Sequence, residues 1–261
     1  MNLDKLILKG CVTVEAFSIQ RGEVMKSDNY SQWNLCDYTG DDAMRVLDAR
    51  MTLCQKLGID LDHLIMPRQT HSTNVRVIDE NFMNASIEAQ DEMLENVDAL
   101  VCDMPGVCIG VNTADCVPIA IVDPKHNIIA IAHAGWRGTV QRIGKKVIDT
   151  MRKLGSNPSD ISAAMGASIC CDCFEVGDEV VQEFERAGFD ISSIMHHNDS
   201  TCKAHINLQE ANRQVLIAAG VKNENITLPT HCSRCESERY FSARRLGINS
   251  GRTFTGIIIH N

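Results

Sequence analysis

A chain of 261 residues with a net charge of −9 and only 5% aromatic residues has room for one compact core, filled mainly by Ile, Val, Leu, Met and Cys. The acidic balance and the lack of a stripe dense in Lys and Arg argue against a nucleic-acid surface. With no N-terminal apolar leader pattern and no eighteen-residue apolar run, a cytoplasmic protein without a membrane partner is expected, and its twelve cysteines fit a reducing compartment better than a disulfide framework.

Residues 6–8 and 12–17 read as short strands, and the polar stretch 27–35 as a loop. Asp41 and Asp42 open a helix that Gly58 closes, with Met44, Leu47, Met51 and Cys54 expected on its buried face. Strands at 64–66 and 75–78 enclose a polar bend in which His71 can face a cleft. The acidic segment 81–96 reads as an exposed excursion before strand-like composition returns at 98–101.

The densest chemistry lies at residues 107–139. Two β-branched runs, 117–122 and 128–132, flank Asp123-Pro124-Lys125-His126-Asn127, which predicts a β-hairpin with Pro in its favoured turn position. A turn over residues 123–126 sets Cys116 directly opposite His133, with Cβ atoms about 4.5–5.5 Å apart. A loop one residue longer would send the two side chains to opposite faces. Gly135 and Gly138 then turn the chain into a helix with Val140, Ile143, Val147, Met151 and Leu154 on one face, and Arg137 adds a cation at a turn suited to anions.

Further on, residues 161–165 read as a strand, Asp178 as the cap of a helix running to Gly188, and Asn207 with Glu210 as the start of a helix closed by Gly220. Residues 231–245 are polar and irregular, and 256–259 make a final strand. Interspersed strands and helices with an antiparallel hairpin point to an α+β or mixed α/β fold in a single unit spanning 1–261.

His71, Cys116 and His133 make a plausible three-ligand set, the pattern of a catalytic zinc with an open position, although spacing does not by itself join His71 to the hairpin. A bound Zn2+ lowers the pKa of its water to about 7 or fixes an oxyanion such as phosphate. Asp115, beside one ligand, is a candidate orienting group or proton acceptor. Cys232-x-x-Cys235 is read as a lone knuckle that, with Cys170, Cys171 and Cys173, offers either a structural zinc site or a redox pair; lacking a second paired knuckle, these cysteines are expected to be structural or incidental. Neither a phosphate-binding G-x-x-x-x-G-K-[ST] loop, nor a G-x-S-x-G elbow, nor the ordinary zinc-deaminase signature occurs.

In order, Gln69-Thr70-His71, Thr113-Ala114-Asp115-Cys116-Val117-Pro118, His133-Ala134-Gly135-Trp136-Arg137-Gly138, Phe174-Glu175-Val176-Gly177 and Phe241-Ser242-Ala243-Arg244 resemble the motifs of the laccase-domain, or multicopper polyphenol oxidase, family across nearly the whole chain. The resemblance implies a mixed α/β sandwich related to the catalytic domain of a deamidating toxin. It further implies zinc-dependent phosphorolysis of purine nucleosides (adenosine, inosine, methylthioadenosine) with adenosine deamination alongside. His71, Cys116 and His133 become the implied metal ligands, and Asn34 and Arg244 match the family's pocket positions by motif. Beside these, Gln69 is a further substrate-binding candidate, and Asp115 and Arg137 are the catalytic candidates, Arg137 acting with the zinc on anionic oxygen near the sugar. Two departures bear on substrate preference: Gly166-Ala167-Ser168-Ile169 stands where the family reads G-P-x-I, and Ala243 where an aromatic is usual. Copper phenol oxidation, the first alternative, needs many histidines, often in H-x-H pairs, whereas this chain has nine and no such pair. The second alternative is a metal-stabilised redox or binding protein that uses Cys170, Cys171, Cys173, Cys232 and Cys235.

Overall fold

The computed structural model describes residues 1–24 and 28–260; Ser27, in the expected loop, lies outside the described residues. The chain begins with strands β1 (Leu3–Leu6) and β2 (Val14–Ile19), helix α1 (Ala43–Leu57) and the short β3 (Leu64–Ile65). Next come β4 (Val75–Ile78), α2 (Glu80–Met83), α3 (Ile87–Leu94) and β5 (Ala99–Cys102). The centre holds β6 (Cys108–Thr113), β7 (Val117–Asp123), β8 (Ile128–Ala134), α4 (Trp136–Val140) and α5 (Ile143–Lys153). Strands β9 (Ser162–Met165) and β10 (Glu175–Val176) are followed by α6 (Asp178–Arg186), α7 (Ile191–Ile194), β11 (Met195–His197) and β12 (Ala204–Ile206). The chain ends with α8 (Leu208–Ala218), β13 (Ile226–Thr227), α9 (Ala243–Leu246) and β14 (Thr253–Ile259).

Among the described residues the strands form a sheet ordered β1-β2-β14-β6-β3, a sheet ordered β13-β9-β7-β8-β5-β4, and a small β10-β12-β11 sheet. The two large sheets stack, with Ile109, Val111, Ile257 and Ile259 of one meeting Ala120, Val122, Ile129 and Ile131 of the other. The opposite face of β7 and β8 presents Val117, Ile119, Ile121, Ala130 and Ala132 to α5, α6 and α8 through Val147, Met151, Phe184, Val215 and Leu216. Every residue of β7 and β8 is therefore buried, which explains why both read as continuous apolar runs instead of alternating ones. Helix α1 covers the outside of the first sheet, Ala49 and Leu53 packing against Phe17, Phe254 and Ile258. The result is an α+β sandwich with helices on both outer faces, and no helix among the described residues is long and apolar enough to cross a membrane.

Local signals placed several helix ends. Asp42 caps α1 by accepting from the Met44 and Arg45 amides, and Gly58 closes it in the left-handed region at φ 70°. Asn207 caps α8 by accepting from the Glu210 amide. Four expectations need correction. The buried face of α1 is Val46, Ala49, Leu53 and Cys54; Met44 and Met51 are 64% and 55% exposed, because the sheet beneath selects the smaller stripe. Segment 81–96 is largely helical, Asp79 and Ser86 capping α2 and α3 and Phe82 reaching the core. The helix after Gly138 is broken where Arg142 takes φ 59°, so Val140 packs on the core from α4, and Leu154, just past the end of α5, is exposed. The N-cap of α6 is Gly177, with Asp178 in the first turn.

Candidate metal centre

The hairpin pairs Pro118, not Cys116, with His133. Asp123 pairs with Ile128, so the connection is longer than expected: Asp123 accepts from the Lys125 amide at 2.9 Å and meets the His126 ring at 2.7 Å, while Asn127 adopts φ 54°. The shift is by two residues, which preserves the face of every side chain. Cys116 and His133 therefore become diagonal neighbours, and the length of the imidazole spans the added distance.

The bend between β3 and β4 brings the third group. His71, at φ 63°, sets its Nε2 3.9 Å from Cys116 Sγ, and its ring lies edge-on to His133 at 4.8 Å between centroids. One donor atom from each of His71, Cys116 and His133 falls within 4.8 Å of the others. Asp98, fully buried at the start of β5, organises two of the three. One of its oxygens accepts from His133 Nδ1 at 2.7 Å and from the His71 amide at 3.1 Å; the other accepts from the Thr70 and Ser72 amides and the Ser72 hydroxyl. The bond to Nδ1 leaves His133 Nε2 as the nitrogen free to ligate, the arrangement that orients metal-binding histidines.

The electrostatics favour a metal-ready thiolate. Burial raises the Cys116 thiol, but the charge and hydrogen bonding of His133, helped by His71, outweigh it and bring it down to about 6. Burial also opposes charge on His133, and Cys116 with Asp98 overcomes it, raising His133 to about 9. Two nitrogens and one sulfur suit a zinc-class ion, and the space is shaped for it: a Cβ at Gly135 would lie 2.9 Å from both Cys116 Sγ and His71 Cδ2. Gly135→Ala is accordingly expected to weaken zinc affinity tenfold or more, about 1.4 kcal/mol, with the circular dichroism spectrum unchanged. Competition with a chromophoric chelator reads the affinity, and an unaltered value would mean that the three side chains spread freely.

Asp115, Cys116 and Arg244 line a cleft of about 370 Å3 with Trp136, Ile169, Phe174, Leu208, Ala243 and Ile248. Asp115 accepts from the Ser233 hydroxyl at 2.6 Å and from the Arg244 amide at 2.9 Å. The Arg244 guanidinium donates to the Glu175 carbonyl at 3.0 Å and lies 5.6 Å from the Phe174 ring centroid. Arg137 is exposed, its guanidinium 4.2 Å from the Trp136 ring centroid, so Trp136 rather than Arg137 reaches the cleft. Gln69 makes a two-point bond to the backbone of Asn112, at 2.9 and 2.8 Å, which ties the His71 bend to β6. Asn34 does not line this cleft. It is buried, and its amide donates to the Cys36 carbonyl and Asp41 while accepting from the Cys36 and Arg252 amides, which uses all four of its hydrogen-bonding positions. A larger cleft of about 840 Å3, lined by Tyr38, Met66, Arg68, Leu94 and Asn112 among others, includes none of the three donors.

Asp98 and Ser233 were invisible as site residues in the sequence. The β5–β8 register that pairs Ala99 with Ala132 puts Asp98 across from His133, and that pairing links segments with no local signal between them. The cysteine reading also needs correction: Cys170 and Cys173 are themselves a C-x-x-C pair, obscured by Cys171 between them, and they stand beside Cys232 and Cys235.

Residues 15–260 match the family model described as multi-copper polyphenol oxidoreductase laccase. The chain is 59% identical, over 98% of both chains, to a protein named adenosine deaminase RL5 from an unknown prokaryotic organism. It is 42% identical to a purine nucleoside phosphorylase of Bacteroides thetaiotaomicron, over 89% of this chain and 86% of that one. Among solved structures it superposes on YlmD from Geobacillus stearothermophilus with a TM-score of 0.87 at 28% identity, covering 100% of this chain and 98% of the other. By its sequence match over nearly its whole length and by its fold, the chain belongs to the multi-copper polyphenol oxidoreductase laccase family.

Proposed function

We propose that the protein is a zinc-dependent enzyme of purine nucleosides that cleaves the N-glycosidic bond with phosphate, giving free base and ribose 1-phosphate, and that it also deaminates adenosine. The observation that carries this reading is the clustering of the His71, Cys116 and His133 donors, Cys116 also lining a cleft that combines apolar Trp136, Ile169, Phe174 and Leu208 with polar Asp115 and Arg244. Relatives named for each of the two activities support it. His71, Cys116 and His133 would hold a zinc ion, which would supply Lewis acidity and activation of water there.

Trp136, Phe174, Ile169 and Leu208 offer flat and aliphatic surface for a purine. Arg244 has N–H groups beyond the one given to Glu175, and a guanidinium fork suits phosphate oxygens. Asp115, with lone pairs remaining on both oxygens, holds a ribose hydroxyl or takes a proton. Arg137 acts indirectly by bracing Trp136. Ala243 lines the same cleft with a small side chain where relatives of the resembled family carry an aromatic, which leaves more room for substituents on the purine.

The test is product analysis with zinc-loaded protein, adenosine and inosine, with and without phosphate, following base, ribose 1-phosphate and deaminated nucleoside by chromatography. Phosphate-dependent formation of base with an equal amount of ribose 1-phosphate is the expected result. Deamination with no base release would remove phosphorolysis from the reading, and inertness toward both nucleosides would sink it entirely.

A further inference from the structure

We propose that Cys170, Cys173, Cys232 and Cys235 form a second, closed metal site, taking one zinc ion as a tetrathiolate whose role is to hold the wall of the cleft. The four sulfurs lie within 4.8 Å of one another, and Cys173 and Cys235 approach to 3.4 Å. In a tetrahedral site with Zn–S bonds of about 2.3 Å, any two sulfurs stand roughly 3.8 Å apart, so the cluster needs little adjustment to accept the ion.

Each half is a tight turn of the kind that presents two sulfurs on one side. The Cys173 and Phe174 amides both donate to the Cys170 carbonyl, and the Glu236 amide donates to the Cys232 carbonyl. The Cys170 amide points at Cys232 Sγ at 3.3 Å, and the Arg234 guanidinium reaches Cys173 Sγ at 3.4 Å. These donors offset part of the negative charge that four thiolates place around a divalent ion. Four sulfurs and no carboxylate or imidazole in the set select a soft or borderline ion, and tetrahedral thiolate geometry suits zinc.

The fold gives the ion a task. Between β13 and α9 the chain runs through residues 228–242 without a regular element, a length that compact domains seldom leave unsupported. Apart from the single bridge between Ser168 and Cys232, backbone ladders do not secure it to the neighbouring loop among the described residues. A tetrathiolate would staple it there. Both knuckles touch the first site through Asp115: Ile169, next to Cys170, donates its amide to the Asp115 carbonyl at 3.0 Å, and Ser233, next to Cys232, donates its hydroxyl to the Asp115 carboxylate at 2.6 Å. The second ion therefore fixes the residue adjoining Cys116 without taking part in chemistry.

The experiment is metal analysis of the purified 261-residue chain by plasma mass spectrometry, with intact mass measured under native and denaturing conditions. Two zinc ions per chain are expected in the wild type, one in Cys116→Ala and one in Cys235→Ser, a variant at an exposed position chosen to spare the fold. Cobalt substitution of Cys116→Ala should then give the intense sulfur-to-metal absorption of a tetrathiolate. One metal per chain in the wild type with none in Cys116→Ala would overturn the proposal. So would a mass 2 Da low from a Cys173–Cys235 disulfide, or stoichiometric iron in place of zinc. These readouts are independent of catalysis, so failure of the nucleoside reading would leave them intact.

Discussion

Cys116→Ala is expected to lose zinc from the His71–His133 site and to lower nucleoside turnover by about a thousandfold or more, with little change in melting temperature. Lewis-acid stabilisation by a metal is worth several kcal/mol in a transition state, and each 1.4 kcal/mol is a factor of ten in rate. Removing the sulfur leaves two imidazoles, one of them exposed, where three donors could otherwise hold an ion. The change should be local, because Cys116 lies just outside β7 and its sulfur packs chiefly on His71, His133 and Gly135. Steady-state kinetics with chromatographic product detection measures the loss. Turnover within tenfold of wild type would place the chemistry elsewhere in the chain.

The second large effect is predicted at Asp98. Replacing this fully buried carboxylate by an amide sets an NH2 group among five donors: three backbone amides, the Ser72 hydroxyl and His133 Nδ1. The carboxyl is held below its ordinary range: burial pushes it up, and the bond and charge of His133, with Ser72 and the Thr70 amide, push it down further. Loss of a buried charge from such a network costs about 3 kcal/mol, roughly 6–12 °C in melting temperature for a chain of this size. Because the same carboxylate sets the His133 tautomer and the His71 backbone, zinc affinity should also fall by about 10–100-fold. Calorimetry and metal competition separate the two effects. A lowered melting temperature with wild-type zinc affinity would make Asp98 a structural residue and nothing more.

Chemistry carried within a few residues was legible from the chain alone. Asp42 and Gly58 bound α1, Asn207 starts α8, and the turn after Val122 makes a hairpin, because capping and turn formation depend on side chains that meet their own backbone. The family motifs pointed to His71, Cys116 and His133 as a candidate ligand set, and the structure gathers these residues at one point.

Whatever depended on which distant segments meet was decided by the tertiary structure. The buried stripe of α1 follows the sheet it lies on, and flexible methionines at 44 and 51 satisfied the helical period without being needed in the core. Asn34 carries a family-like motif, yet its amide is taken up by Cys36 and Asp41 within its own loop and by the Arg252 amide from the far end of the chain. Asp98 reaches His133 only because β5 lies beside β8, and two cysteine knuckles about sixty residues apart meet only because residues 228–242 fold back onto residues 168–173. Local sequence determined the turns, the caps and the donor types at the site. Strand order and register, set by burial of both faces of β7 and β8, decided which of those donors come together and which carboxylate orients His133.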